Sequence, residues 1–225
     1  MDQIAKALPR ARGESHRHLQ ATARLRTLVP DEIVFRQGDP IPLTLMVRGH
    51  AVFRRTTTDG RELVLGMAAP GMLFGFSGIA GSMATVDLVA VTPAEVALWS
   101  GEELRPLVHD DGGLALDVVD GMAGYIVAIS DRLDRFIHQN ARHRLLRVLA
   151  EYEDLFFGDT PVFSRAHLPG LVGTSREMTG RVIRELERED VIARVGKRGL
   201  RLLSPGRLQQ AVCLASTRNR EAPIP

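Results

Sequence analysis

Between Thr174 and Asp190 the chain reads TSREMTGRVIRELERED, a segment whose charged and apolar residues fall on opposite sides of a helix. Val182, Ile183, Leu186 and Val191 supply the apolar face. Arg176, Glu177 and Arg181 gather near the other side of the first turn and a half. Thr174, with Glu177 three residues on, has the spacing of an N-terminal capping box. Arginine can donate to both O6 and N7 of guanine, and glutamate can accept from the cytosine amino group. A helix so equipped could read base edges in a major groove while its apolar face docks on a supporting helix. The segment by itself fits a solvated helix face, held by pairs such as Glu177–Arg181, equally well.

Other residues with chemical potential are more scattered. Downstream, VIARVGKRGLRLLSP reads as a two-stranded hairpin with Gly196-Lys197-Arg198-Gly199 at its tip, where two cations could meet phosphates. His16 and His18 lie one residue apart near the N-terminus, and His50, His109, His138, His143 and His167 are dispersed. None matches a metal-ligand spacing or singles out an axial haem ligand, so no metal or cofactor is expected. Glu102-Glu103 and Asp110-Asp111 read as solvated pairs in a surface linker. No nucleophile-elbow, phosphate-loop or triad pattern is present, and the chain is not expected to be an enzyme. Cys213, the one cysteine, excludes an internal disulfide.

The elements that must position these groups change character along the chain. From Pro30 to Trp99, short apolar runs alternate with turn signals at Gly38-Asp39, Gly49, Asp59-Gly60 and Pro70-Gly71. Asp-Gly between such runs is a strong hairpin cue, and short strands at this spacing imply a sandwich or barrel. The first ~28 residues read as a partly helical lead-in. Beyond Gly112-Gly113, Val119, Met122, Ile126, Ile129, Leu133 and Phe136 recur at three- and four-residue intervals, the seam of a coiled coil. The helix could lie on its own domain. It follows a complete β segment, which makes a dimer helix the better reading, and Gly121 and Gly124 would let two partner backbones approach. Residues 140–157 form a further amphipathic helix with Asn140 as N-cap, and Gly158-Asp159-Thr160-Pro161 breaks it. A short helix, a turn, the segment 174–190 and the hairpin then make the outline of a winged helix-turn-helix. STRNREAPIP reads as a frayed tail.

The chain has 225 residues, 44% hydrophobic and 25% charged, which excludes a disordered or fibrous protein. Its net charge of +2 is unevenly placed. Residues 1–139 carry 14 basic against 17 acidic residues, whereas 140–225 carry 15 against 10. The basic half is the one expected to meet a polyanion. No apolar run approaches the ~20 residues of a membrane span, and MDQIAKALPRARGESHRH lacks the apolar core of a secretory signal. No membrane partner and a cytoplasmic location are therefore expected.

The stretch VGTSREMTGRVIRELERE (172–189) resembles the recognition helix of the cyclic-AMP receptor/fumarate–nitrate regulator (Crp/Fnr) superfamily of bacterial transcription factors, with Ser175, Arg176, Glu177 and Arg181 on its Ser-Arg-Glu-x-x-x-Arg core. GDP at 38–40, VRGHAVF at 47–53, DGRE at 59–62 and PGMLFG at 70–75 resemble the family's β jelly roll. The helix near 113–138 matches its dimerisation helix and residues 191–203 its wing. The resemblance implies an α+β fold: a β-roll sensor domain over 1–111, a dimerisation helix over 112–139, a winged helix-turn-helix over 140–210 and a tail over 211–225. It also implies a homodimer on palindromic, TGTGA-like duplex sites, with RNA polymerase as a further partner. Arg176, Glu177 and Arg181 would read bases; Thr174, Ser175, Lys197 and Arg198 would hold phosphates.

The departures from the family concern its effector. In cyclic-nucleotide-binding members a glutamate after the Phe-Gly segment holds the ribose, and an arginine before the next strand holds the cyclic phosphate. Here Phe74-Gly75 is followed by Phe76-Ser77, and Ala80–Thr85 has no basic residue. The polar pair that meets adenine becomes Ile129-Ser130. A cyclic phosphate buried without a cation is costly, so gating by cyclic AMP is not expected. A pocket of Phe74, Gly75, Phe76, Ser77, Ile79, Met83, Ile129 and Ser130 would be apolar. Its own side chains could fill it, or an apolar or haem-like ligand could enter, although no residue pattern supports haem. The alternative from another class is a small-molecule or redox sensor whose basic domain contacts protein or RNA.

Overall fold

The computed structural model describes residues 2–57, 62–159 and 161–220. The chain divides into two compact units, Met1–Ile129 and Ser130–Pro225. The first unit opens with helices α1 (Asp2–Ala7) and α2 (Gly13–Thr22). Strands β1 (Arg24–Leu28), β2 (Ile33–Phe35), β3 (Leu43–Arg48), β4 (Ala51–Thr56), β5 (Glu62–Ala68), β6 (Leu73–Phe74), β7 (Asp87–Ala90) and β8 (Ala94–Trp99) follow, with a 3-10 turn at Phe76–Ala80. They form two four-stranded antiparallel sheets, in the orders β1-β8-β3-β6 and β2-β7-β4-β5. The sandwich expected from the short apolar runs is present. Strands β4 and β5 pair from Ala51↔Ala68 to Thr56↔Glu62. The Asp59-Gly60 turn expected between them lies outside the described residues.

Two apolar clusters hold this unit. One lies within the sandwich around Leu28, Phe35, Met46, Phe74, Leu88 and Val96. The other joins Leu43, Leu45 and Trp99 to the flanking helices through Leu8, Leu19, Leu104 and Leu114. Burying each leucine contributes about 1.5–3 kcal/mol, and the Trp99 indole donates to the Leu19 carbonyl at 2.8 Å. The N-terminal lead-in is therefore part of the core. Two buried carboxylates hold it. Asp117 accepts from the backbone N–H groups of Arg10 and Ala11, at 2.9 and 3.0 Å. Asp111 accepts from Arg12 N–H at 2.7 Å, the Ser15 hydroxyl at 2.6 Å, and the N–H groups of Gly113 and Leu114. The Ser15 bond outweighs burial and, with the three N–H donors, holds the Asp111 carboxyl at about 2.

Helix α3 (Gly101–Asp110) replaces the expected acidic linker. Ser100 and Glu103 form its capping box, and Asp111 is buried rather than solvated. Helix α4 (Gly112–His138) then runs from the first unit into the second. Among the described residues it is the helix long and apolar enough to cross a membrane, by length and composition. That corrects the expectation that no segment has this character. Its uncharged middle, GMAGYIVAIS, had been masked in the sequence by Asp117, Asp120 and Asp131 on either side.

In the second unit, the helix expected over 140–157 is two, α5 (Ala141–Glu151) and α6 (Glu153–Phe157), broken at Tyr152. Asn140 caps α5, accepting from His143 N–H at 2.9 Å. Helices α7 (Leu168–Val172) and α8 (Arg176–Arg188) make the helix-turn-helix, and β9 (Ile192–Val195) and β10 (Gly199–Leu202) the wing. Thr160, in the expected break before α7, lies outside the described residues. Residues 211–220 of the expected tail are helical, as α9 runs from Pro205 to Arg220, and 221–225 lie outside the described residues. Proline at the first position of α9 needs no N–H partner, and Leu208 is fully buried.

Candidate nucleic-acid interface

The geometry of α8 starts at its cap. Ser175, not Thr174, is the N-cap, and its hydroxyl oxygen accepts from Met178 N–H at 3.1 Å. The capping box is absent because the third helical residue is Met178; Glu177 sits one position earlier and stays in solvent. An N-cap oxygen used as acceptor leaves its O–H free to donate. Behind the cap, Thr179, Val182, Ile183 and Leu186 are buried against the rest of the unit.

The opposite face is open. Arg176, Glu177 and Arg181 are exposed, and so are Arg184 and Arg188, seven and eleven residues beyond Glu177. Glu177 and Arg181 form only a loose pair at 3.8 Å, with the glutamate 85% exposed. Such a pair in solvent is worth little, so both side chains can be taken over by a ligand. Acidic groups on the other side are tied up. Glu189 accepts from Arg142 at 2.7 Å, and Glu185 is ion-paired with the same guanidinium at 3.7 Å. Glu187 accepts from Arg194. Partial burial alone would raise the Glu187 pKa, but the Arg194 bonds and the charges of Arg194 and Arg165 hold it below its ordinary value.

The wing tip carries exposed Lys197 and Arg198. Arg165, which no sequence pattern singled out, fastens it. Its guanidinium donates to the carbonyls of Gly196 and Lys197, and its N–H to Arg198 carbonyl at 2.9 Å. Thirty residues of sequence separate the two, so no local signal announces the contact.

On α4 the expected seam is rotated. Val119, Ile126 and Leu133 are 57%, 64% and 59% exposed, and Ile129 is also exposed. Met122, however, packs half-buried on its own core. Phe136 is half-buried beneath the Arg144 guanidinium, 5.2 Å from the ring centre. The open side of the first row is instead continued by Ala123, Ser130 and Ile137. Gly121 does not lie on that side: a Cβ there would fall 2.3 Å from the Phe76 ring. The glycine makes room for a side chain of its own chain, and not for a partner helix as its position suggested.

The residues expected to line one effector pocket are dispersed. Phe74 is in the sandwich core, edge-on to Phe53 at 4.9 Å. Gly75 takes φ 88° where the chain turns, and a Cβ would strike the Pro42 carbonyl. Ile79 and Phe76 belong to the other cluster, facing the helices. The Ser77 carbonyl accepts from Ser82 N–H, Met83 is 52% exposed, and Ile129 and Ser130 are exposed on α4. A cation does stand at the loop, brought by α3: Arg105 donates from Nε to the Ile79 carbonyl at 2.7 Å. Elsewhere, His16 bonds the Leu8 carbonyl at 2.8 Å. Among the described residues no three His, Cys, Asp or Glu side chains converge as a metal site would require.

A β-roll unit, a long helix with an open apolar side and a winged helix-turn-helix with an arginine-rich face define a DNA-binding transcription regulator. Residues 25–111 match the cyclic nucleotide-binding domain family and residues 143–211 the Crp-like helix-turn-helix domain family. The CRP-like protein Clp of Xanthomonas oryzae is 32% identical over 180 residues, covering 73% of this chain and 77% of Clp. The cyclic AMP receptor protein of Thermus thermophilus is 30% identical over 163 residues, covering 71% and 74%. The solved structure of the c-di-GMP-responsive global regulator CLP of Xanthomonas campestris is 25% identical with a TM-score of 0.71, covering 86% of this chain and all of that one. The chain belongs to the Crp/Fnr family of transcription regulators.

Proposed function

We propose that the chain is a homodimer that binds two-fold-symmetric duplex sites with TGTGA-like half-sites, and that it does so without cyclic AMP. The carrying observation is the α8 face: Arg176, Glu177 and Arg181 stand exposed at the N-terminal end of a helix whose other side is buried. Arg176 and Arg181 would read guanines and Glu177 a cytosine, each worth about 1–3 kcal/mol of discrimination. Thr174, the free Ser175 hydroxyl, Lys197 and Arg198 would hold phosphates, setting affinity and its salt dependence rather than sequence. The open side of α4 would pair with a second copy, placing two α8 helices about 34 Å apart, one turn of DNA. Covering by a second copy, not by lipid, suits a helix whose ends carry Asp117, Asp120, Asp131 and Asp134. RNA polymerase and a cytoplasmic location complete this reading.

Independence from cyclic AMP rests on Phe76. In the sequence resemblance Phe76 stands at the family's ribose-binding glutamate, and the packing of its ring on Gly121 supports a place filled by the protein's own side chain. Arg105, a cation at the loop, already donates to Ile79. Selection of bound duplexes from a random pool by ligand-free protein should yield a palindrome; recovery of no common sequence would overturn the reading. Calorimetry with cyclic AMP, cyclic GMP and c-di-GMP tests the second half. Saturable cyclic AMP binding at low micromolar concentration would overturn it. Binding of c-di-GMP alone, the ligand to which the Xanthomonas relative responds, would keep the regulator and replace ligand-free operation.

A further inference from the structure

We propose that Arg144 is a positioning residue that locks the pose of the recognition helix to the last turn of α4. The inference rests on the reading above, in which the spacing of two recognition helices matters. Helices α4 and α5 are separated by Gln139 and Asn140 alone. A two-residue break has four backbone torsions, enough to swing everything downstream unless something spans it. Arg144, in the first turn of α5, spans it. Its Nη1 donates to the Gln139 carbonyl at 2.5 Å, and the guanidinium lies over the Phe136 ring at 5.2 Å, so it grips both the break and the end of α4. The other edge of the same planar group faces the helix-turn-helix. Nε donates to the Val172 carbonyl at 3.0 Å and Nη2 to the Gly173 carbonyl at 3.4 Å.

The chemistry of these acceptors explains why they hold a cation. Val172 ends α7 and Gly173 caps it, so their carbonyls are among the unpaired acceptors at the negative end of a helix. Two residues later Ser175 caps α8. The fork therefore touches, through one rigid plane, the end of α4 and the turn that aims α8. Lysine carries the charge but not the plane; it could satisfy one carbonyl and lie over the ring, but not bridge both sides. Burial lowers the Arg144 pKa, a sign that the group is withdrawn from water where its bonds are stronger.

The test uses the full-length protein, wild type, R144K and R144Q, titrated against duplexes carrying two half-sites. Their separation is one helical turn, about 10–10.5 base pairs, or is lengthened or shortened by one and two base pairs. A single half-site and a thermal melt complete the set. Wild type should prefer one spacing. In R144K that preference should shrink by about tenfold, a typical coupling between distant parts, while single-half-site affinity and melting stay near wild type. R144Q should lose the preference as fully. If both variants keep the wild-type preference, and lose affinity on all duplexes in proportion to lost stability, Arg144 is merely structural and the proposal falls. Wild-type protein indifferent to spacing would sink the dimeric reading together with this one.

Discussion

The α8 face and the Phe76 loop treat their side chains in opposite ways. On α8, arginines and a glutamate are kept in solvent, while Glu185, Glu187 and Glu189, which could neutralise them, are bound to arginines elsewhere. In the loop, the ring of Phe76 is drawn into the chain's own core, and a glycine on α4 is shaped to receive it. A surface left unsatisfied invites a ligand; a surface satisfied internally declines one. The contrast sets an exposed arginine–glutamate face in the second unit against a loop in the first whose aromatic ring packs on its own helix.

Four experiments would break or sharpen this contrast, beginning with the largest effect. Replacing Ile126 or Leu133 with Asp puts a charge on the open side of α4. The protein should become monomeric by light scattering and lose about 10²–10⁴ in operator affinity, the advantage of two linked half-sites. A dimeric I126D would show that the seam lies elsewhere. Next, Arg181→Ala should lose about 1–3 kcal/mol of discrimination between matched and mismatched half-sites. Lys197→Ala should instead weaken all duplexes alike and reduce the salt slope by about one. The reverse pattern in competition gel shifts would exchange the roles of helix and wing.

The loop has its own test. Gly121→Ala gains about 1 kcal/mol of helix propensity but should lose about 1–3 kcal/mol through the clash with Phe76. A lower melting temperature, recovered in F76L/G121A, would place the glycine against the ring. A change in dimerisation without a change in melting would return Gly121 to the partner interface. The smallest effect concerns pH. The Asp111 carboxyl is held at about 2, below its ordinary 3.8. Its contribution is fully present above about 3.8 and is lost as pH falls toward 2. Wild type should thus lose stability in acid more steeply than D111N over that window, and parallel curves would show that the carboxylate charge is not what clamps the N-terminal helices.

Much of this was legible from residue types. The strands announced themselves through apolar runs and glycine turns, because a two-residue period and tight turns are local properties. The helix-turn-helix did so through an apolar stripe and a cap, although the cap sits one residue later than the pattern implied. The α3 segment reads as linker in the sequence because its acidic residues look solvated; Glu103 instead completes the capping box with Ser100, and Asp111 is buried against the N-terminal helices. Arg105, Arg144 and Arg165 went unnoticed for a different reason. Each acts on carbonyls, and every residue has one, so no sequence pattern marks the recipient.

The sequence by itself determined the family, the order of elements and the arginine–glutamate set on α8, because these depend on residue identity and short-range periodicity. It also showed Phe76-Ser77 after the Phe74-Gly75 segment, with no acidic residue there. Only the tertiary structure decided where those residues point. It turned Met122 inward and Ala123, Ser130 and Ile137 outward on α4, since which side of an apolar helix is free depends on what packs on the other. It placed Phe76 on Gly121, 45 residues away, and Arg144 on a turn 28 residues away. Close packing and hydrogen-bond geometry join residues by distance in space, and separation along the chain carries no record of that distance.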